Sequence, residues 1–81
     1  MDTDVYKTKD LGEAAALYCY GLKLLNLEHG PNFYWFVFEN NDARRVSDAY
    51  WSCELKLDVK LYNDSLKTLK DRLFANQGTL I

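Results

Sequence analysis

The chain has 81 residues, enough for one domain, of which 48% are hydrophobic and 15% aromatic. This is too apolar for a disordered chain, and the net charge of −2 lacks the positive excess of a duplex-binding domain. The N-terminus has no apolar signal-peptide run, and no segment approaches the roughly 20 apolar residues of a membrane span. Two cysteines are few for a disulfide-rich secreted domain. These properties predict a soluble, reduced, cytoplasmic domain without membrane association.

The first predicted elements are a short strand and a capped helix. Residues 5–9 alternate in character and place two lysines on one face, which indicates an edge strand. Asp10 then starts a helix over residues 11–20, with Glu13 three positions further on, as in a capping box. Gly21 follows, where a left-handed residue commonly ends a helix.

A β-hairpin is predicted next. Residues 22–28 form its first strand, although this segment could also prolong the helix, and residues 33–39 form the second strand. Between them, Gly30 and Pro31 break regular structure and supply turn dihedral angles. The second strand, Phe-Tyr-Trp-Phe-Val-Phe-Glu, carries the strongest strand signal in the sequence.

Two helices complete the predicted domain. Residues 40–42 offer N-cap side chains for a helix over residues 42–53, and Asp58 caps a third helix from residue 59 to about residue 75. Residues 54–57 form a connector or a small extra strand. The third helix has an apolar stripe with steps of three and four residues: Val59, Tyr62, Leu66, Leu69 and Leu73.

Residues 1–81 are therefore predicted to form a single α+β domain of order β-α-β-β-α-α. Its three-stranded sheet has helices packed on it, because a sheet must bury an apolar face against another layer. The pairing of the first strand stays open between a parallel and a far-edge position. Residues 1–4 and 76–81 are predicted to be frayed.

The second hairpin strand is aromatic on both faces, which is unusual for a strand with one face in water. Its two alternating sets are Tyr34, Phe36 and Phe38 on one side and Phe33, Trp35 and Val37 on the other. In one interpretation, helices cover both faces and all six side chains are core. In the other, Phe33, Trp35 and Val37 form an uncovered patch that binds a partner. A sheet-to-sheet homodimer is its simplest use.

Two further surfaces are candidates for binding. Trp51 lies off the main stripe of the second helix, and it either packs under residues 54–57 or, if exposed, anchors a partner. The densest basic positions are Lys7, Lys9, Arg44 and Arg45. They form a modest anion-binding surface if the first strand and the second helix lie on one side, and otherwise they are solvated faces.

The sequence has no recognisable pattern for catalysis, a metal or a cofactor. Cys19, Cys53 and His29 are the only soft ligands, whereas a closed zinc site takes four. Buried free thiols and a histidine in the hairpin turn explain these residues more simply. There is no Gly-x-Ser-x-Gly elbow, phosphate-binding glycine loop or His-Glu-x-x-His motif. We therefore predict a non-enzymatic domain without a cofactor.

Several short motifs, mostly structural in character, span nearly the whole chain. They are Tyr6-x-Thr8-x-Asp10-Leu11, Ala14-Ala15, Gly21-x-Lys23-Leu24, Phe36-Val37-Phe38-Glu39, Ala49-Tyr50-Trp51 and Asp71-Arg72-Leu73-Phe74. This pattern resembles a family of small uncharacterised bacterial and phage proteins, a domain of unknown function. The resemblance implies a prokaryotic or viral origin and no assigned activity. In size, acidity and form, residues 36–73 are also similar to small phage proteins that block host defence, such as anti-CRISPR proteins.

The function predicted from these observations is protein binding. We expect an interaction module, encoded by a phage or a bacterium, that acts as an accessory or inhibitor protein on a host or phage protein. The alternative is single-stranded nucleic-acid binding, because aromatic side chains on a sheet can stack bases. The acidic net charge and the missing Lys/Arg-Gly before the aromatic strand argue against this alternative.

Overall fold

The structure, a computed structural model, describes residues 5–78. Its elements are β1 (Val5–Thr8), α1 (Leu11–Tyr20), β2 (Leu24–His29), β3 (Tyr34–Glu39), α2 (Ala43–Trp51) and α3 (Val59–Gly78). The predicted α+β class and order of elements are confirmed. The fraying predicted for residues 1–4 and 79–81 lies outside the described residues, whereas residues 76–78 continue α3.

The sheet has three antiparallel strands in the order β1-β3-β2. Tyr6 of β1 and Leu24 of β2 lie opposite Phe38, on either side of the middle strand. A register shift between Leu24 and Asn26 interrupts the second ladder. The aromatic strand is therefore central, and both other strands are edges. This resolves the position of the first strand, which is antiparallel to β3 and separated from β2.

A single core on one face of the sheet joins all three helices to β3. Its largest fully buried side chains are Phe36, Phe38, Leu17, Leu69 and Val46. The middle helix of this layer is α1, which contacts α2, α3 and β1. Its run of alanines at residues 14–16 is completely buried, and small side chains allow such close approach.

Local capping signals explain the bounds of α1, which match the prediction. Asp10 is the N-cap, and its Oδ1 accepts a hydrogen bond of 2.8 Å from the backbone N–H of Glu13. Gly21 ends the helix with a φ of 117°, a backbone conformation that side chains with a Cβ rarely adopt. The other half of the predicted capping box is wrong. The Glu13 side chain does not accept the backbone N–H of Asp10, which donates instead to Thr8 Oγ1 at 3.1 Å.

The bounds of α2 differ from the predicted residues 42–53. Asp42 adopts a φ of 76° and makes no side-chain cap, because its carboxylate binds Arg45 instead. Cys53, with a φ of 64°, turns the chain away from the helix axis just after the helix ends at Trp51. Residues 54–58 are a connector, so the small extra strand is not formed.

The third helix is longer than predicted and begins at the expected cap. Asp58 Oδ1 accepts a hydrogen bond of 3.1 Å from the N–H of Leu61. Four of the five stripe residues face the core, but Val59, the first residue of α3, is 74% exposed. Within residues 5–78, no helix combines the length and the apolar character needed to cross a bilayer.

The strand bounds also shift by one or two residues. The first strand ends at Thr8 rather than residue 9, and the hairpin strands are Leu24–His29 and Tyr34–Glu39. The interpretation of residues 22–28 as strand rather than helix is confirmed for its central part. His29, expected in the turn, is the last residue of β2, and its ring meets that of Tyr34 edge-on at 5.0 Å.

Candidate functional site

The face of the sheet opposite the core carries the second set of β3 side chains. Trp35 and Val37 alternate along β3 with residues that face the core. Phe33, just before the strand, is two residues from Trp35 and so lies on the same side. Lys7 lies opposite Val37 on β1, and Glu28 lies opposite Trp35 on β2, so both share this face. We call the surface formed by these five residues the outer sheet face.

An aromatic pair lies at one end of the outer sheet face. The ring centroids of Phe33 and Trp35 are 5.3 Å apart, and their planes meet at 84°. This edge-to-face arrangement is favourable and fixes both rings beside each other. Both side chains are half-buried, so part of each ring is open to solvent.

Charged side chains, rather than a helix, cover much of this face. Lys7 Nζ and Glu28 Oε1 form an ion pair of 2.7 Å that spans β3 from one edge strand to the other. Lys9 Nζ lies 4.7 Å from the centre of the Phe33 ring. Val37 lies beneath this ion pair's position in the sheet, opposite Lys7, and is only 6% exposed.

Neither interpretation of the aromatic strand describes the outer sheet face completely. Phe33 and Trp35 are half-buried rather than fully covered or fully exposed. The core formed by α1, α2 and α3 involves Phe36 and Phe38 and excludes Phe33, Trp35 and Val37. An exposed ion pair contributes only about 0–1 kcal/mol to stability, so a partner can displace it at little cost. The role of these residues in binding stays a prediction.

Trp51 does not pack under residues 54–57, contrary to the first expectation for it. Its side chain is 59% exposed, and its ring contacts that of Tyr50 edge-on at 5.0 Å. The cause is the early end of α2, after which the backbone N–H groups of Glu54 and Leu55 both bond to Ala49 O. These two hydrogen bonds fold the start of the connector back onto the last turn of α2.

The four predicted basic residues do not form one surface: the two lysines lie at the sheet and the two arginines lie on α2. Lys7 is part of the outer sheet face, where it pairs with Glu28, and Lys9 lies next to this face, over the Phe33 ring. Arg45 lies on α2, and it donates to Asp42 at 2.6 Å and to Tyr20 Oη at 3.1 Å. The fourth basic position, Arg44, is exposed. An anion-binding role for them stays a prediction.

The soft ligands do not come together. Both cysteines are free, with Cys19 half-buried and Cys53 exposed. The expectation of two buried thiols is thus wrong for Cys53, because the residue lies in the turn after α2. Among the described residues, no group of three or more His, Cys, Asp or Glu side chains could hold a metal ion.

A buried carboxylate is the principal feature that the sequence did not indicate. Glu13 is 4% exposed, and its side chain is held between β1, α1 and α2. Tyr6 Oη and Ser47 Oγ donate to Oε2 at 2.7 and 2.5 Å, and Thr8 Oγ1 donates to Oε1 at 2.7 Å. A buried carboxylate needs such donors because burial removes its hydration.

These hydrogen bonds decide the ionisation of Glu13. Burial alone would raise the pKa of the carboxyl, but hydrogen bonds from Ser47, Tyr6, Thr8 and Trp51 outweigh it and hold the pKa below the ordinary value. Burial also raises the pKa of the Tyr6 hydroxyl, which keeps its proton for donation. The Glu13 network therefore joins β1, α1 and α2 through hydrogen bonds to one buried carboxylate.

A second polar cluster surrounds Gly12 on α1. The Tyr62 hydroxyl, from α3, donates to Gly12 O at 3.1 Å. A Cβ added to Gly12 would lie 2.6 Å from Tyr50 Oη and 3.5 Å from Tyr62 Oη. An alanine at position 12 would therefore require the Tyr50 side chain to shift, because real Cβ atoms do not come so close to another heavy atom.

We expect Gly12→Ala to destabilise the domain by about 1 kcal/mol, as overpacking does. In a free helix the same change would stabilise by up to about 1 kcal/mol, so the sign reports the contact with Tyr50. In a Tyr50→Phe background, the clashing oxygen is absent, and Gly12→Ala becomes neutral or stabilising. Urea unfolding of the four variants of this cycle measures the difference, and equal effects in both backgrounds would contradict the assignment.

The structure defines the class of this protein as a small α+β domain whose antiparallel sheet carries three helices on one face and an aromatic pair on the other. The family model described as Domain of unknown function (DUF5659) matches residues 3–75, and the chain belongs to this family. The resemblance to an uncharacterised family is thereby confirmed. A search of curated proteins and a search of solved structures find no match to the chain.

Proposed function

We propose that the domain is a non-enzymatic protein-interaction module that binds a partner protein through the outer sheet face. One observation carries the proposal: the Phe33–Trp35 pair lies on the sheet face that the core helices leave free. Aromatic side chains dominate the energetics of interfaces, and a pair with fixed geometry loses little conformational freedom on binding.

The charges around the pair support a protein as the partner. Lysines lie on the β1 side and Glu28 on the β2 side, so the apolar centre has a rim of both signs. An apolar centre with a polar rim is the usual anatomy of a protein interface. A second copy has the same pattern, and a two-fold axis along the strands would place Lys7 of each copy near Glu28 of the other.

The proposal extends to a bacterial or phage protein that acts as an accessory or an inhibitor of its partner. Small size and a net charge of −2 support this, since such a chain offers a binding surface and little room for a catalytic cleft.

The test of the outer sheet face is Trp35→Ser, with Trp51→Ser as the matched control. We expect sedimentation velocity between roughly 10 and 500 μM to show self-association of the wild type and of Trp51→Ser, and its loss in Trp35→Ser. Urea unfolding confirms that each variant is folded. Equal association of wild type and Trp35→Ser would contradict the assignment.

If the wild type is monomeric over this range, the partner is a different protein. Proximity-dependent labelling in the producing cell then compares wild type with Trp35→Ser. A labelling pattern that Trp51→Ser changes and Trp35→Ser leaves intact would place the interface away from the outer sheet face.

Single-stranded nucleic-acid binding is the second candidate, favoured by the position of Lys9 over the Phe33 ring. Lysines beside exposed aromatic rings are typical of surfaces that hold a strand of bases. Lys7, however, is already neutralised by Glu28 at 2.7 Å. We expect no salt-sensitive quenching of tryptophan fluorescence by oligonucleotides, and such quenching would favour this candidate over the first.

A further inference from the structure

The sheet ends at β1, which has no further strand beside it among residues 5–78. An edge strand presents a row of unpaired backbone N–H and C=O groups, to which an extended segment can bond. The ladder between β1 and β3 is regular over all four residues of β1. The other edge strand, β2, has a register shift between Leu24 and Asn26, and such irregularities hinder strand addition. Of the two edges, β1 is therefore the better one for an added strand.

The helix α2 lies beside this edge. Its Ser47 Oγ accepts a hydrogen bond of 3.0 Å from Tyr6 Oη of β1. The middle helix, α1, contacts both α2 and α3, so α2 is the flanking helix on the β1 side. Packed helix axes are about 8–10 Å apart and paired strands only about 4.8 Å apart, so three helices form a wider layer than three strands. The helix α2 thus extends past β1 and flanks the space where a fourth strand would lie.

Two exposed side chains of α2 turn toward this space. Val46 is buried in the core on one side of Ser47. Successive helix residues are about 100° apart, so Trp51 and Arg44 lie about 40° and 60° around from Ser47 on its other side. Trp51 is 59% exposed, and Arg44 is exposed as well. Burial raises the pKa of the Tyr6 hydroxyl, and Arg44 lies close enough to oppose this rise, which independently places Arg44 near β1.

We propose that an extended segment of a partner protein adds to β1 as a fourth strand, with an acidic side chain at Arg44 and an apolar one at Trp51. We call the backbone of Val5–Thr8, together with these two side chains, the β1 edge site. Main-chain hydrogen bonds hold the segment, and the side chains that point toward α2 select it. Within residues 5–78, Arg44 makes no ion pair, whereas its neighbour Arg45 is held by Asp42 at 2.6 Å. The Arg44 guanidinium is therefore available to a carboxylate.

The charges argue against a basic segment and against a second copy of the chain as the occupant. A basic side chain beside the α2 flank would meet the like charge of Arg44. Two β1 strands side by side would bring Lys7 of each copy toward that of the other, and like charges on adjacent strands destabilise the pairing. The acidic residue of this flank, Asp48, lies about 100° around from Ser47 and so points further from β1 than Arg44 does.

The experiment is an NMR titration of the ¹⁵N-labelled protein with the capped heptapeptide Thr-Val-Thr-Val-Thr-Glu-Thr. Its residue types favour an extended strand, and its valines and glutamate share one face. A twin peptide carries lysine in place of glutamate. We expect the glutamate peptide to shift the amide signals of β1 and the indole signal of Trp51, and to bind at least about fivefold more tightly than its twin. Equal binding of both peptides, shifts confined to other elements, or no binding at about 5 mM peptide would overturn the proposal.

Backbone methylation of the peptide distinguishes strand addition from binding by side chains alone. In a strand, only alternate N–H groups point toward a given neighbour. Two further peptides therefore carry N-methyl groups at either the odd or the even positions. We expect one of them to lose binding at least about tenfold, as the loss of two or more backbone hydrogen bonds requires, and the other to keep it. Equal effects of the two methylation patterns would overturn strand addition.

The variant that tests the selecting side chain is Arg44→Gln. We expect it to weaken the glutamate peptide about threefold to fivefold and to leave the lysine twin no weaker. Arg72→Gln, at an exposed arginine of α3, is the control and should change nothing. Unchanged affinity in Arg44→Gln, or an equal loss in Arg72→Gln, would overturn the β1 edge site. Trp35→Ser should leave peptide binding intact, so failure of this site and failure of the outer sheet face are distinguishable.

Discussion

Replacing Glu13 with alanine is expected to lower the free energy of unfolding by about 3 kcal/mol. The substitution leaves the hydroxyls of Tyr6, Thr8 and Ser47 without their acceptor and opens a cavity between three elements. For a domain of this size, the total stability is about 4–12 kcal/mol, so the loss is a large part of it. Urea unfolding measures the change.

Two controls make the result specific to the buried carboxylate. Glu54→Ala removes an exposed glutamate and should change stability by no more than about 0.5 kcal/mol. Glu13→Gln keeps one oxygen acceptor for Tyr6 and Ser47, and it should cost less than Glu13→Ala. A loss for Glu13→Ala no larger than that for Glu54→Ala would mean that the network does not hold the fold together.

The Glu13 carboxyl also predicts a pH dependence with a definite sign. Its pKa is lower in the folded protein than the ordinary value of 4.5, so its contribution is fully present above that value. The contribution is lost as the pH falls from there through the lower folded-state pKa. The stability difference between wild type and Glu13→Gln should therefore stay constant at neutral pH and shrink as the pH falls below about 4.5. A constant difference would contradict the ionised state of Glu13.

The second large effect is expected for Phe38→Ala, at about 3–5 kcal/mol. Phe38 is completely buried in the middle strand, between Tyr6 and Leu24 on the edge strands. Truncation leaves a cavity where the sheet meets the helical layer, and a small core has few other contacts to close it. Thermal unfolding, followed by circular dichroism, should show a fall in Tm of more than about 12 °C.

Phe74→Ala is the matched control for this truncation. The same chemical change is made on α3, at a side chain that is 75% exposed. We expect a change within about 0.5 kcal/mol, because no buried contact is lost and alanine favours a helix. Similar losses for both phenylalanines would show that the core is not centred on β3.

The sequence predicted the parts of the fold that depend on neighbouring residues. Asp10 and Gly21 bound α1 as expected, since a cap acts within one turn of the helix. The hairpin around Gly30 followed from turn residues between two apolar runs. Asp42 failed as a cap because its carboxylate found a competing partner in Arg45, three residues further on.

The Glu13 network depends on contacts that sequence spacing does not reveal. Ser47 reaches Glu13 from another helix, and the capping-box pattern offered a simpler explanation for the glutamate. One signal was present: Tyr6 and Thr8 alternate on the strand face that turns toward α1, which places two hydroxyls near an acid. The exposed position of Trp51 followed from a left-handed Cys53 that no local pattern indicated.

The strand order has a consequence for how the domain assembles. β2 and β3 are joined by a short loop, so their ladder closes a small ring of chain at low entropic cost. β1 is separated from β3 in the sequence by α1 and β2, and pairing between strands that are so far apart in the sequence is slow. We therefore infer that the hairpin forms early and that docking of β1 closes the Glu13 network last. The amides of Tyr6 and Thr8 should then exchange their hydrogens faster than those of Phe36 and Phe38.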